Sequence, residues 1–490
     1  MKKHFLSIAA TLILVTGFSI CAVAEVDISM SGDLVNTAYT YVRKVNTPVT
    51  HNGGDMELAG RARILFEGYL NDFTSLRFEP EVIYTETFRT GSDSPSRADE
   101  HEGQIHEASV RFEEFILPSL DFTVGKQRIT WGKADGMNPT DNFNPDNLSL
   151  MMGGGVMTLG STSDLMDKPY VWGVRLENYF DNGIKVDFAW VPRVAASNFE
   201  VDDIQSYLPF QAGIGVTYPW KEDGWQSGDT SWGMRVSSTV GKMDFSLSYF
   251  RGYDDLPAIR SVNVDYSLAL VAGGASMTEA MTGINSIEIS YPRYEVIGMD
   301  FAGEKSSIGF WGEFAYYIPN DFAGAVYAQD PSISGSDTII PIPIITENYV
   351  KYTLGMDYTF RIGEEGLYTN LQFAHGMYDE RRYTPESRDM GIAYDKGMLS
   401  NLQNYIIYRL EYKFDNDEKT LAVMGFYEHG RVGSRDDNQG HMFIPYLNWE
   451  VEDDKDLAIG FIGFTGKEDR SKFGIYRGTL KGFINYKITW

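Results

Sequence analysis

The chain ends TLKGFINYKITW, and no turn residue follows the alternation. Leu480, Gly482, Ile484, Tyr486, Ile488 and Trp490 fall on one parity. Thr479, Lys481, Phe483, Asn485, Lys487 and Thr489 fall on the other. A period of two puts the two sets on opposite faces of a β-strand. A strand carried to the final residue is unusual, because chain ends fray unless tied down. It is needed where the last strand closes a sheet on the first, here VDISMSGDL, and leaves no edge.

The same period recurs along the chain. Ala62, Ile64, Phe66, Gly68 and Leu70 alternate with Arg61, Arg63, Leu65, Glu67 and Tyr69. VWGVRLENYF, IGFWGEFAYY, YVKYTLGMDYTF and LQNYIIYRLEYKF repeat the pattern. Asp181-Asn182-Gly183, between two such runs, is a tight-hairpin signal. Connections alternate in length. Short ones sit near 71–74, 116–119, 181–183, 241–243, 303–307, 361–366, 415–419 and 452–456. Long ones fall near 44–57, 89–104, 134–169, 192–231, 252–285, 319–348, 377–401, 429–441 and 466–474. Eight short turns and nine long loops join eighteen strands, with both termini on the short-turn side. IRSVNVDYSLALV has strand character inside the fifth long loop, and the count shifts by two if it joins the wall.

Strands of about ten residues with short turns at one end and long loops at the other are the signature of a transmembrane β-barrel. The predicted fold is all-β: an antiparallel barrel of about 18 strands, with short periplasmic turns and long extracellular loops. Lipid offers no hydrogen-bond partner, so only closure satisfies the backbone of a spanning sheet. Tyr69, Tyr84, Tyr179, Phe180, Trp190, Tyr249, Trp449 and Trp490 fall near strand ends, where aromatic girdles form.

The N-terminus gives the compartment. Lys2 and Lys3 precede an apolar run from Phe5 to Ile20, and Ala22-Val23-Ala24 is an A-x-A cleavage site. Residues 1–24 thus read as a cleaved signal peptide, and 25–490 as one barrel domain of a bacterial outer membrane. Cys21 is the only cysteine and leaves with the leader, which excludes disulfides, thiolate catalysis, cysteine metal sites and haem attachment. The net charge of −26 excludes a nucleic-acid partner. No run after the leader is long and apolar enough for a spanning helix.

The polar parity is expected to face the lumen, because charge facing lipid is costly. Its bases include Arg61, Arg63, Arg77, Arg111, Arg175, Arg235, Arg409, Arg477 and Lys481. Its acids include Glu79, Glu81, Glu107, Glu177, Glu313 and Glu411. Bases run slightly ahead, and a wall this charged implies water rather than a packed apolar core. The negative excess sits in loops, at positions such as Asp93, Glu222, Asp223, Asp436 and Asp437.

Eighteen strands are wide enough for an aqueous channel. The third long loop, 133–169, is the candidate to fold inward and narrow it. Asn138-Pro139 and Asn144-Pro145 enforce extended or turn geometry, with Asp141 between them. Gly153, Gly154 and Gly155 allow close approach, and Leu148, Leu150, Met151 and Met152 are too apolar for a free surface loop. On the preceding strand Lys126 and Arg128 share the parity of Phe122 and Val124. A bulge near Gly125 would turn them inward.

VGKQRITWGKADGMNPTDNFNP resembles a strand-to-third-loop motif of the alginate-export-type porins of Gram-negative outer membranes and their uncharacterised relatives. The matching positions are Gly125, Gln127, Trp131, Gly132, Asn138, Pro139 and Asp141. GFWGEFAYY and YTNLQFAHG also resemble strands of these barrels, through Trp311, Glu313, Gln372, His375 and Gly376. The resemblance implies an eighteen-stranded passive channel. For alginate itself it would imply a strongly basic lumen, whereas acids here nearly equal bases.

These readings point to a porin for passive diffusion of small hydrophilic or anionic solutes. A structural or adaptor barrel is the alternative, and a barrel hydrolase is a third class. Catalysis needs a nucleophile, a base and an orienting group brought together. No motif ties a serine to His375, which shares the parity of Leu371 and Phe373. No catalytic residue, metal site or cofactor is predicted. The expected partners are outer-membrane lipid and lipopolysaccharide, the solute, and the barrel-assembly machinery, to which Trp490 would present a C-terminal aromatic. Single barrels and oligomers both fit the sequence.

Overall fold

The alternating segments close into a ring. The computed structural model describes residues 27–490 except 43–44, 47–49, 52, 89–96, 147–167, 194–214, 218–229, 257, 268–271, 273–280, 321, 334–336, 363–364, 379, 386–400, 431–438 and 468–470. The segment read as a signal peptide lies outside the described residues. So do Leu148, Leu150 to Met152, Gly153 to Gly155, and the loop acids Asp93, Glu222, Asp223, Asp436 and Asp437.

The wall runs β1 (Asp27–Tyr41), β2 (Met56–Asn71), β3 (Thr74–Phe88), β4 (Arg97–Phe112), β5 (Leu120–Gln127), β6 (Val171–Tyr179), β7 (Ile184–Val191), β8 (Ser231–Val240) and β9 (Met243–Tyr253). It continues as β10 (Arg293–Lys305), β11 (Ile308–Pro319), β12 (Tyr349–Ile362), β13 (Glu365–His375), β14 (Asn404–Phe414), β15 (Lys419–Gly430), β16 (Gly440–Glu452), β17 (Lys455–Gly466) and β18 (Leu480–Thr489). Each strand pairs antiparallel with the next, and β1 pairs with both β2 and β18, so the 18-stranded sheet has no edge. In the closing ladder Asp33 faces Thr489 and Tyr41 faces Lys481. The Gly32 amide and carbonyl exchange hydrogen bonds with Trp490. Strand number and the eight short turns agree with the alternation.

Parity sorts the wall. Met30, Met234, Leu247, Ile297, Met356, Leu421, Ile459 and Ile484 all project outward and are exposed, Leu247 to 63%. An apolar belt of this extent is a surface for hydrocarbon rather than water. The inward parity is charged along β2–β8, whereas along β14–β18 the half nearer the long loops is mostly apolar around Lys481, and charge returns farther down with Arg409 and Glu411. There Tyr405, Ile407, Met424, Phe426, Met442, Ile444, Phe464 and Phe483 are buried, packed with Met137 and Met377 from the connecting segments. The expectation of a uniformly wet lumen is corrected on this side. Strands such as TLAVMGFY are apolar on both parities, so alternation does not mark which face is covered.

The fifth long loop differs as well. Its end was expected near 285, but the wall resumes only at Arg293. Met281–Ser290 belongs to a second, five-stranded sheet with Gly215–Thr217, Ala258–Tyr266, Phe322–Gln329 and Thr338–Ile345. The strand character of IRSVNVDYSLALV is thus real but spent outside the barrel, pairing with Met281–Ser290 and Phe322–Gln329. Its apolar residues Ile259, Val264 and Ile287 join one buried cluster with Trp131, Phe250 and Tyr317 of the barrel side. Nor does a bulge interrupt β5. Its ladders to β4 and β6 keep register through Lys126, which holds the parity of the apolar face and folds its ammonium back onto the Ile105 carbonyl.

Candidate functional site: the lumen wall and the inward segment

Hydrogen-bonded register decides which charges meet. Arg61 and Arg63 (β2), Arg77, Glu79 and Glu81 (β3), Glu107 and Arg111 (β4), Arg175 and Glu177 (β6), Arg235 (β8), Glu313 (β11), Arg409 and Glu411 (β14) and Lys481 (β18) all fall on the inward parity. Arg477 does not. It follows a 3-10 turn over Phe473–Tyr476, is exposed, and donates its amide to Gly474, three residues before β18 begins. Local i→i+3 bonds replaced the ladder there, which parity counting does not register.

The wall arginines are matched by carboxylates. Arg61 meets Asp33 at 3.1 Å, Arg77 meets Glu67 at 3.1 Å, and Arg111 meets Asp121 at 2.6 Å. Arg175 grips Asp187, Arg235 lies 2.9 Å from Asp300, and Arg409 lies 2.5 Å from Glu411. Arg63 pairs with Glu81. Wetting is uneven. The Arg77 and Arg111 side chains remain 46% and 39% exposed, whereas Lys481 is buried between the rings of Tyr39 and Tyr41 and reaches Glu57.

From the end of β5 the chain leaves the wall and crosses to strands far around the ring. Trp131 donates to Asp187 at 3.2 Å and packs edge-on against Phe143, which packs edge-on against Phe250. Asn144 bridges the Ile129 amide and carbonyl, closing the segment on itself. Further along, Thr353 donates to the Met137 carbonyl, Gln372 to the Asp135 carbonyl, and Asn370 to the Asp135 carboxylate. Tyr317 donates toward Pro139 and Asn142, and Asp141 closes a turn on the Asn138 carbonyl. Glu313 accepts from the amides of Lys133 (2.5 Å), Ala134 (2.6 Å) and Thr140 (3.2 Å) and from the Thr140 hydroxyl (2.8 Å). Lys168 holds the far end through Asp146 (2.8 Å) and Asp141 (3.5 Å). Asn138, Pro139, Asp141 and Asn144 line a cavity of about 50 Å³ shared with Asp254, Asp255, Tyr294 and Lys351.

Sequence reasoning passed over Asp135, Thr140, Tyr317, Thr353 and Asn370. Tyr317 shares the parity of Glu313 and Asn370 that of Gln372, and these were the signals present for them.

A second buried tie sits above. Adjacent residues Glu380 and Arg381 reach in opposite directions. Arg381 binds Asp254 at 2.6 Å, the Leu256 carbonyl and Tyr294. Glu380 accepts from the Gln403 amide and Tyr405 and lies 3.2 Å from Lys472. Burial pushes the Asp254 carboxyl up, but the Arg381 guanidinium outweighs it and holds the group below the usual carboxylate range. Glu380 is likewise held low, its burial outweighed by Lys472 and by the Tyr405 and backbone donors. Asp255 is driven well up by burial, reinforced by Asp146 and Asp254.

No family model and no curated protein matches this chain. Among solved structures it is similar to OccAB3 of Acinetobacter baumannii at 10% identity, covering 95% of this chain and 99% of that one, with a TM-score of 0.48. Similar too are OccAB4 of the same organism (10%, 95% and 98%, TM-score 0.47) and OpdK of Pseudomonas aeruginosa, solved with vanillate (8%, 94% and 99%, TM-score 0.45). Likenesses this distant do not bear on what the chain carries.

Proposed function

We propose that the protein is an outer-membrane porin for passive diffusion of small hydrophilic solutes. One observation supports it above the others: a closed 18-stranded barrel whose outward face is apolar and whose inward face carries ionised side chains along β2–β8. A sheet with that distribution fits lipid outside and water inside. The pore-lining part falls to Arg61, Arg63, Arg77, Glu79, Arg111, Arg175 and Arg235, with the aqueous path beside β3 and β4, where Arg77 and Arg111 stay wetted. The segment around Asn138, Pro139, Asp141, Asn144 and Pro145 serves as the constriction. Because each of these arginines has a carboxylate within ion-pair distance, the wall offers solutes little net sign, which favours size over charge as the filter.

Single-channel recording of the purified protein in a planar bilayer tests this. A steady conductance with a reversal potential close to zero under a salt gradient is expected. No conductance from protein shown to be folded overturns the porin reading and leaves a structural barrel.

A further inference from the structure

We propose that Glu313 is the positioning residue that holds the inward segment across the lumen and thereby sets the aperture. Glu313 projects from β11, is fully buried, and has no Lys or Arg within ion-pair distance among the described residues. Its ladder neighbours are Asp300 and Thr353, and Asp300 is already engaged by Arg235. A buried carboxylate set opposite another carboxylate is costly unless donors surround it. All four of its donors come from the crossing segment: two consecutive amides at 133 and 134, and the amide and hydroxyl of Thr140.

Consecutive backbone amides converging on one anion form a nest. Gly132 permits it. Its φ is +99°, and a Cβ there would sit 2.4 Å from the Glu313 carboxylate. The other wall contacts to the segment are made at one or two bonds each: Tyr317, Thr353, Asn370 and Gln372 donate to it, Asp187 accepts from Trp131, and Asp244 pairs with the Lys133 ammonium at 3.2 Å. Among the described residues, Glu313 thus makes more bonds to the segment than any other wall side chain, on two stretches, 133–134 and 140. A mutated Glu313 would strand all four donors at once. That Glu313 sets an aperture rests on the porin reading; that it anchors the segment does not.

The test uses the full chain, folded in lipid vesicles and bilayers, with Cys21→Ser where the leader is retained. Glu313→Ala and the milder Glu313→Gln are compared with the unsubstituted protein for conductance. Each is also compared for labelling of an Ala134→Cys reporter, buried at 8% exposure, by a water-soluble maleimide. Glu313→Ala is expected to raise conductance about twofold and labelling about tenfold, with Glu313→Gln between. An ideal Cβ on Gly298 lies 3.4 Å from the Thr140 Cβ, just under the usual disulfide range, and clashes with the Ser248 hydroxyl, so the pair is built on a Ser248→Ala background. In the Glu313→Ala chain, oxidised Gly298→Cys/Thr140→Cys is expected to return conductance to the unsubstituted level, and reduction to release it. Unchanged labelling and conductance in folded variants overturn the anchor while the porin stands. Faster labelling in a protein that never conducts keeps the anchor and overturns the porin. Faster labelling with unchanged conductance removes the link to aperture.

Discussion

Arg235 and Arg77 both point inward and both meet carboxylates, yet their surroundings separate them. Arg235 and Asp300 are 13% and 1% exposed, with Ser246 also bound to Asp300. Arg77 and Glu67 are 46% and 27% exposed. Removing one partner of a buried pair leaves an uncompensated charge and costs about 3–5 kcal/mol. An exposed pair contributes under about 1 kcal/mol. Urea titration of the vesicle-folded barrel is expected to show Arg235→Met losing several kcal/mol and Arg77→Met almost nothing; equal losses would contradict the burial assignment. Parity made the inward direction of both arginines legible. It could not say that Asp300, 65 residues away, is the partner of Arg235, because that depends on register across β9 and β10. The same limit hid Thr140, 173 residues from Glu313.

A strand presents two solvents to its two faces, and β9 shows the consequence. Leu247 faces outward at mid-strand, opposite Val236 of β8, while Ser237 of β8 is on the inward parity. Arginine facing lipid near the midplane costs about 2–4 kcal/mol, whereas lumen positions tolerate charge. Leu247→Arg is therefore expected to destabilise the barrel by that amount and Ser237→Arg by less than half of it, read from the same urea titrations. At this scale the sequence was most readable where one parity is polar, as in β2–β8. It was least readable in β14–β18, where residues such as Met424 and Val423 are apolar on both faces. The strand at 258–266 was visible as a strand, but only pairing with Met281–Ser290 reveals that it belongs outside the ring.

Across the whole molecule, the loops above the barrel are joined through Glu380 and Arg381, and their titration sets how firmly. Asp254 and Glu380 have lowered values in the fold. Their stabilisation is present above the unfolded carboxylate range of about 4 and is lost as pH falls through those lowered values. Asp255 has a raised value. Its contribution is complete below about 3.9 and is lost as pH rises through the raised one. The tie is thus expected to be tightest in mildly acidic solution and weaker on both sides. Amide hydrogen exchange at 380–384 across a pH series checks this, and protection that only falls from neutral downward would remove Asp255 from the account. The seam between β1 and β18 carries a different consequence, one of time. Thr37 and Asn485 bond across it though 448 residues apart in sequence. Contacts that distant form late, because the entropy of closing the intervening loop must be met first. Until the final strand is available, β1 has one unpaired edge, and an open sheet edge recruits other chains. The barrel's first strand must therefore be kept from strangers for as long as the rest of the chain takes to be made and moved.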